Sequence, residues 1–302
     1  MKQLTSRYGL PYKGSKNKIA DWVVDCLPPA DCFVDLFCGG CSITHAQLVL
    51  GHYKRYIAND INGELPRLFL DAAHGRLDLD YRWVSREEFD AIKDADIVTR
   101  LCYSFGMSGK NYIYGKNNED FKHAYHQAVV DRNLEPIKRY GFDLSPILMY
   151  KTIEDRYIGA KAIIKRRDRV LDWITEENLP RLQHLEELQH LEELESLERL
   201  EILERSYESI NIPPNSTVYC DIPYVDTSGY GNEFDHRAFY EWALTRPFPV
   251  FVSEYWMPDD FTAIAMKGKY VTLSAKNNSD MKAEKIFVQK RYAAQYQREL
   301  FI

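Results

Sequence analysis

A short apolar run that enters a pair of glycines constrains the fold of this chain more than any other feature. Residues 32–37 read Cys-Phe-Val-Asp-Leu-Phe, and Gly39 and Gly40 follow almost at once. Such a run predicts a buried strand, and the glycines let the backbone turn and approach a ligand closely. A helix from about Ser42 and a second strand at residues 55–58 would follow. This alternation favours an α/β domain around a largely parallel sheet.

The middle of the chain has a different character. Residues 77–180 have weak strand signals and predicted helices near residues 119–132 and 154–172. We expect further strands only after residue 200, at residues 201–203, 217–220, 249–252, 270–273 and 285–289. Strands on both sides of a strand-poor segment predict a discontinuous domain of residues 1–76 and 196–302, with a mainly helical insertion of residues 77–180.

Leucine recurs at every third residue from Leu182 to Leu203, and the hexamer Leu-Gln-His-Leu-Glu-Glu occurs twice. Each three-residue step rotates a helical stripe by about 60°, so eight leucines cannot line one face of a helix. Residues 181–203 therefore predict broken helical turns or a short solenoid-like stack. A partner-binding surface is the alternative.

The formal net charge of −6 conceals an uneven distribution. Residues 176–208 hold eleven acids against three arginines, a net charge of −8, whereas residues 151–170 hold seven bases against three acids, a net charge of +4. Because phosphate affinity depends on the local field, an acidic chain can still carry a nucleic-acid-binding patch.

The chain shows no apolar signal core and no apolar run long enough to span a membrane. Its six cysteines fit buried, reduced residues of a cytoplasmic protein better than a disulfide framework. Three further signals fail on spacing, so we expect no metal site. Cys38 and Cys41 lack a second pair, His123 and His126 lack a third ligand, and residues 109–116 depart from a phosphate loop.

Two acids follow predicted strands. Asp60 comes about twenty residues after the glycines, where an acid can bond both hydroxyls of a ribose, although a helix cap is the alternative. Asp221, Ile222, Pro223 and Tyr224 offer a carboxylate, a carbonyl and a ring on a loop stiffened by proline. That set suits a flat polar substrate, and an ordinary type I turn is the alternative.

In their order, these motifs resemble those of the Dam-like, α-group DNA adenine methyltransferases. Residues 12–16 (Tyr-Lys-Gly-Ser-Lys) are similar to the family's N-terminal cofactor motif, and residues 35–40 (Asp-Leu-Phe-Cys-Gly-Gly) to its DxFxGxG loop. Residues 59–62 (Asn-Asp-Ile-Asn) resemble its ribose-binding segment, and residues 221–224 (Asp-Ile-Pro-Tyr) its catalytic DPPY. The resemblance implies a Rossmann-like S-adenosylmethionine-dependent methyltransferase sheet with an inserted target-recognition domain.

The resemblance also implies residue roles. Asp221 and the carbonyl of Ile222 would hold the amine of an adenine flipped out of double-stranded DNA, on a segment completed by Pro223 and the stacking ring of Tyr224. The expected S-adenosyl-L-methionine ligands are Tyr12, Lys16, Asp35, Phe37, Gly39, Gly40, Asp60, Ile61, Ser206 and Tyr207. For Tyr207, a core aromatic is the alternative.

Basic and aromatic residues in the insertion are the candidates for DNA contact. We expect readout or phosphate contacts from Lys110, Asn111, Tyr112, Tyr114, Lys116, Lys165, Arg166, Arg167 and Arg169. Solvated surface charge is the alternative for each. A cognate restriction nuclease is a further partner that the family brings into consideration.

Two departures keep other functions open. Cys41 replaces the last glycine of the loop, where a left-handed backbone would be strained, and Ile222 replaces the first proline of DPPY. An RNA or protein-amide methyltransferase and a non-catalytic DNA-binding relative are the alternatives. The adenine-N6 reading requires Asp221 and the turn at Gly39 and Gly40 to face one cleft.

Overall fold

The computed structural model describes residues 8–50, 53–167, 177–189, 197–224, 234–270 and 281–296. The chain divides into two compact units. The first comprises Met1–Leu10, Ser15–Leu70 and Leu191–Ile302, and the second comprises Pro11–Gly14 and Asp71–His190. The boundary between His190 and Leu191 lies inside the leucine repeat, so the repeat is divided between the two units.

The first unit is built on a seven-stranded sheet with the order β3-β2-β1-β4-β5-β7-β6. Strands β1 to β5 pair in parallel, and β7 is antiparallel to both of its neighbours. This mostly parallel sheet confirms the α/β class and is compatible with a Rossmann-like methyltransferase. The strands are β1 (Cys32–Asp35), β2 (Arg55–Asn59), β3 (Leu200–Leu203), β4 (Ser216–Cys220), β5 (Val250–Glu254), β6 (Phe261–Tyr270) and β7 (Met281–Gln289).

One expected strand lies almost wholly outside the described residues. The apolar pattern predicted a strand at residues 270–273, but β6 runs over Phe261–Tyr270, and residues 271–280 lie outside the described residues. At the edge of the sheet, β6 pairs only with β7. Strand β6 itself was not predicted, although residues 261–266 read Phe-Thr-Ala-Ile-Ala-Met.

Both units contain helices. None in the described residues has the length and apolar character needed to cross a membrane. They are α1 (Ala20–Cys26), α2 (Ser42–Leu50), α3 (Glu64–Ala73), α4 (Arg86–Ile92), α5 (Ile97–Cys102), α6 (Glu119–Val129), α7 (Glu135–Lys138), α8 (Ile153–Arg167), α9 (Leu179–Leu188), α10 (His236–Thr245) and α11 (Lys290–Tyr296).

Both faces of the sheet are covered, which explains why its central strands are apolar at consecutive positions. On one face, Val34 of β1 and Val218 of β4 belong to a core that includes Phe239 and Trp242 of α10. On the other face, the ring of Phe33 stacks against that of Tyr219, with centroids 6.5 Å apart. The carboxyl ends of the strands are therefore held by two packed layers.

The second unit has a helical core within its described residues. Tyr125 of α6, Ile137 of α7 and Tyr157 of α8 are buried together. An isolated antiparallel β-bridge joins Ser104 and Tyr112 in this unit.

The described parts of the leucine repeat lie on a helix at its beginning and on strand β3 at its end. Leu182, Leu185 and Leu188 are buried on the continuous helix α9. With Leu179 they make four leucines at three-residue spacing, which turn through only half of the helix circumference, so a helix buried on one broad side accommodates them. Residues 190–196, in the rest of the repeat, lie outside the described residues.

The segment before residue 11 packs against the glycine turn. The N–H of Leu10 donates to the Gly40 carbonyl at 2.7 Å, and the N–H of Gly9 donates to Nδ1 of His45 at 2.9 Å. Gly9 has a φ of +68°, and a Cβ there would lie 2.4 Å from the Gly40 oxygen and 2.6 Å from the Ser42 nitrogen. Only glycine fits this contact.

We expect Gly9→Ala to lower the stability of the protein by about 2 kcal/mol or more, because the added carbon meets backbone atoms and the φ is left-handed. Thermal unfolding followed by circular dichroism measures the change. Gly268→Ala is the control, since nothing lies within 4 Å of the position of its Cβ. Equal melting temperatures of the two variants would contradict the close approach at Gly9.

Candidate active site

Three acids lie where parallel strands end. Asp35 is the last residue of β1, Asp60 follows β2, and Asp221 follows β4. In the parallel pair of β1 and β4, Asp35 lies opposite Tyr219, and the N–H of Leu36 donates to the Tyr219 carbonyl at 3.0 Å. Asp221 and the glycine turn therefore lie at the edge formed by the carboxyl ends of the parallel strands. They lie next to the point where the strand order reverses, which is where α/β sheets bind ligands.

The side chain of Asp60 holds the glycine turn. Its Oδ2 accepts the N–H of Gly39 at 2.9 Å, and its Oδ1 accepts the N–H of Asn62 at 2.9 Å. Burial raises the pKa of Asp60, while these two N–H groups oppose the rise. The cap of α3 is Asn62, whose Oδ1 accepts the N–H of Glu64 at 3.1 Å. Asp60 thus shapes the turn in addition to its expected ribose contact.

Cys41 adopts the left-handed conformation that its place in the glycine motif requires. Its φ is +60°, beside a φ of +46° at Gly39. A left-handed conformation costs a non-glycine residue roughly 1–2 kcal/mol. The Cys41 side chain is fully buried, and its N–H donates to the Cys38 carbonyl at 2.7 Å. Burial offsets the strain, so the turn keeps its shape without the third glycine.

Asp35 has an unsatisfied carboxylate oxygen. The residue is 2% exposed, and its Oδ2 accepts the Thr44 hydroxyl at 2.8 Å. Within the described residues, its Oδ1 makes no hydrogen bond. Burial raises the pKa of Asp35 to about 8, and the charges of Asp221 and Asp60 add to the rise against the opposing Thr44 hydroxyl. A cation bound at this oxygen would favour the ionised carboxylate and lower the pKa of Asp35.

Lys16 joins two carboxylates. Its Nζ lies 3.0 Å from Oδ1 of Asp221 and 3.0 Å from Oε1 of Glu284, and it donates to the Tyr224 hydroxyl. Burial alone would lower the pKa of Lys16, but the charges of Asp221 and Glu284 outweigh it and raise the pKa. The side chain therefore stays an ammonium, whose partners are Asp221, Glu284 and the Tyr224 hydroxyl.

The residue before Lys16 ties this network to the glycine turn. Ser15 Oγ lies 2.7 Å from Oγ of Ser42, at the start of α2. Consecutive residues thus contact the turn on one side and Asp221 on the other. These contacts place Lys16 beside Asp221 and Tyr224, and its expected role at the methionine end of a cofactor stays a prediction.

The segment from Asp221 to Tyr224 is fixed at each position. Ile222 is 2% exposed and belongs to the core of the sheet. The Pro223 carbonyl lies 2.7 Å from Nε2 of His236. The Tyr224 ring lies 4.7 Å from that of Tyr255. The buried side chain of Ile222 anchors the backbone where the family has a proline.

Aromatic residues lie beside the turn. The ring of Phe37 is 5.3 Å from that of Tyr207, and Tyr207 contacts Trp242 at 5.1 Å. Tyr207 is partly buried against the core, as the alternative for this residue anticipated, and Ser206 is half-buried. Ile61, next to Asp60, is 71% exposed, which is unusual for an isoleucine and leaves it free to contact a ligand.

Two of the expected DNA contacts need correction. Tyr112 and Tyr114 are buried in the second unit, where their hydroxyls donate to the Val84 carbonyl and to Oδ1 of Asn178, both at 2.6 Å. Their rings are core residues and cannot stack on bases without unfolding this region. The remaining described candidates with exposed side chains are Lys110, Asn111, Lys116, Lys165 and Arg166.

The predicted roles of one cofactor ligand and two DNA contacts stay predictions. Tyr12 belongs to the segment Pro11–Gly14, which groups with the second unit. Arg167 ends α8, and Arg169 lies outside the described residues. Among the described residues, no group of three or more His, Cys, Asp or Glu has an arrangement that could hold a metal ion.

Residues 12–82 match the family model of the D12 class N6 adenine-specific DNA methyltransferases. This match confirms the resemblance that the motifs indicate, and the family is one of enzymes. Methyltransferases of this family generally use S-adenosylmethionine. The matched segment includes Asp35, the glycine turn and Asp60, and it ends before Asp221. A search of curated proteins finds no match to the chain.

Asp35→Asn tests the buried carboxylate. Because the folded pKa of about 8 exceeds the ordinary value of 3.8, the folded protein holds a proton that the unfolded chain loses between these pH values. Stability should therefore fall as pH rises through this window, by about 1.4 kcal/mol per pH unit at most. As the pH rises from 5.5 to 8, we expect the difference in unfolding free energy between Asp35→Asn and the native protein to shift in favour of the variant. A pH-independent difference in denaturant unfolding would contradict this.

Proposed function

We propose that the protein transfers a methyl group from S-adenosylmethionine to N6 of adenine in double-stranded DNA, with the target base extruded from the helix. One observation carries the proposal: Asp35, the glycine turn and Asp221 lie at the same edge of one sheet, and Ser15 and Lys16 connect the last two. A cofactor held at the turn would thus lie next to a carboxylate able to hold the substrate.

The residues at the turn fit this cofactor. The unsatisfied Oδ1 of Asp35 is an acceptor for the amino group of its methionine part. Asp60 would accept from the ribose hydroxyls, since each carboxylate oxygen has a second lone pair beyond its backbone bond. Phe37 and the exposed Ile61 would contact the adenine ring of the cofactor. When bound, S-adenosylmethionine supplies an activated methyl group.

The segment at β4 fits the amine of adenine. That amine is a poor nucleophile because its lone pair is delocalised into the ring. Asp221 and the carbonyl of Ile222 would accept hydrogen bonds from the two N–H groups of this amine and favour a pyramidal nitrogen. Tyr224 would stack on the ring of the substrate adenine. The base must first leave the duplex, at a cost of a few kcal/mol. Positioning and electrostatic stabilisation then suffice, without a covalent intermediate.

Incubation with methyl-labelled cofactor tests the function directly. Duplex DNA, RNA and a protein extract are offered separately, and we expect label only in DNA, in N6-methyladenine after nucleoside digestion. Label in RNA or protein would transfer the proposal to those substrates. Absence of label from all three would favour the non-catalytic DNA-binding alternative.

Asp221→Ala should abolish transfer, with a loss of about 100-fold or more, while cofactor affinity stays within threefold. The fold should survive because Lys16 retains Glu284 as a counterion. Single-turnover transfer and calorimetric titration of the cofactor measure the two effects. An equal loss of transfer and affinity would instead assign Asp221 a structural role.

Exposed bases on α8 should contribute to DNA affinity. We expect the double substitution Lys165→Ala and Arg166→Ala to weaken duplex binding about tenfold and to reduce the slope of log affinity against log salt by about two. Fluorescence anisotropy at several salt concentrations measures both. Lys138→Ala with Arg139→Ala, the same charge change at two exposed residues at the end of α7, is the control. Equal effects of the two pairs would indicate a non-specific charge effect.

A further inference from the structure

A buried glutamate outside every recognised motif contacts the proposed catalytic segment. Glu284 lies on β7 and has no exposed surface. In the antiparallel pair of β5 and β7, Glu254 at the carboxyl end of β5 lies opposite Lys285. Glu284 is therefore one residue beyond the end of β5, on the edge where Asp221 also lies.

Glu284 bonds Lys16, the counterion of Asp221, and Tyr224. Its Oε1 accepts from Lys16 at 3.0 Å and from the hydroxyl of Tyr224. Lys16 also donates to that hydroxyl, and its Nζ lies 4.3 Å from the centre of the Tyr224 ring. One carboxylate oxygen thus fixes the ammonium and the far end of the ring that would stack on adenine.

The two carboxylates that share Lys16 differ in exposure. The side chain of Asp221 is 21% exposed, whereas those of Glu284 and Lys16 are 0% and 5% exposed. Only Asp221 can meet an incoming base. An ammonium that had Asp221 as its one counterion would compete with a neutral amine for the lone pairs of that carboxylate. A second counterion reduces that competition.

We propose that Glu284 is a positioning residue for methyl transfer, which retains Lys16 when Asp221 turns to the adenine amine and fixes the ring of Tyr224 for stacking. This inference rests on the proposed function. Glu284 does not touch the reacting atoms. It acts through Lys16 and Tyr224, so its loss should slow the transfer step without weakening the binding of DNA or cofactor.

Glu284→Gln tests this role, because glutamine keeps the shape and removes the charge. We expect kcat to fall at least tenfold, while KM for duplex DNA and the cofactor Kd stay within threefold. Glu254→Gln is the matched control. Glu254 is also a buried glutamate at this edge, 2% exposed, and it is not a hydrogen-bond partner of Lys16. Its kcat should stay within twofold of that of the native protein.

Tyr224→Phe provides a second test that does not alter buried charge. It keeps the ring and removes only the hydroxyl bonded to Glu284. We expect kcat to fall at least threefold with unchanged KM. The double variant with Glu284→Gln should lose no more activity than Glu284→Gln alone, because both changes break one unit.

The outcomes separate this inference from the proposed function. A native protein that methylates DNA, with a Glu284→Gln variant as active as Glu254→Gln, would overturn the role of Glu284 alone. Proportional losses of kcat, DNA affinity and melting temperature would make Glu284 merely structural and also overturn it. If Glu284→Gln does not fold, full activity of Tyr224→Phe would overturn the role. A native protein that transfers no label to DNA would overturn the proposed function itself.

Discussion

Parallel pairing of β1 with β4 is the constraint on which the candidate site depends. Because the two strands are hydrogen-bonded neighbours that run in the same direction, the residues that follow each one emerge at the same edge. Asp35 and Asp221 come together by this pairing although they lie far apart in the chain. The packed layers on both faces of the sheet then hold that edge in place, so short loops suffice to position the side chains.

The site concentrates negative charge where water is scarce. Burying a carboxylate destabilises a fold unless a cation or hydrogen bonds compensate. Lys16 compensates Asp221 and Glu284, and backbone N–H groups compensate Asp60. Within the described residues, Asp35 has the Thr44 hydroxyl and no cation, and its raised pKa follows. An imbalance of this kind is typical of binding sites, where stability is given up for affinity.

Local patterns predicted the central part of this fold. The apolar run before the glycines, the second strand and the strand before Asp221 each follow from a few consecutive residues, and the motif order placed the acids at strand ends. Glu284 could not be found in this way. It stands between Lys282 and Lys285 in β7, a pattern typical of a solvated strand face, and only tertiary pairing buries it beside Lys16.

The errors have a similar physical origin. Tyr112 and Tyr114 stand in a loop rich in glycine and lysine, which predicts exposure, but partners distant in sequence satisfy their hydroxyls and let the rings enter the core. Strand β6 was missed although residues 261–266 are largely apolar and Phe261 and Ile264 are buried. Propensity and pattern describe local preferences, and these positions were decided by contacts between distant segments.

The close approach of Gly9 to the glycine turn also bears on how this protein can diverge. A side chain of any size at position 9 would collide with the backbone at positions 40 and 42, so drift at the first site is tolerable only together with a remodelled turn. In an alignment of relatives, these two regions should therefore covary. Loss of the glycine in one lineage would mark a change in how that lineage builds the turn at residues 39–42.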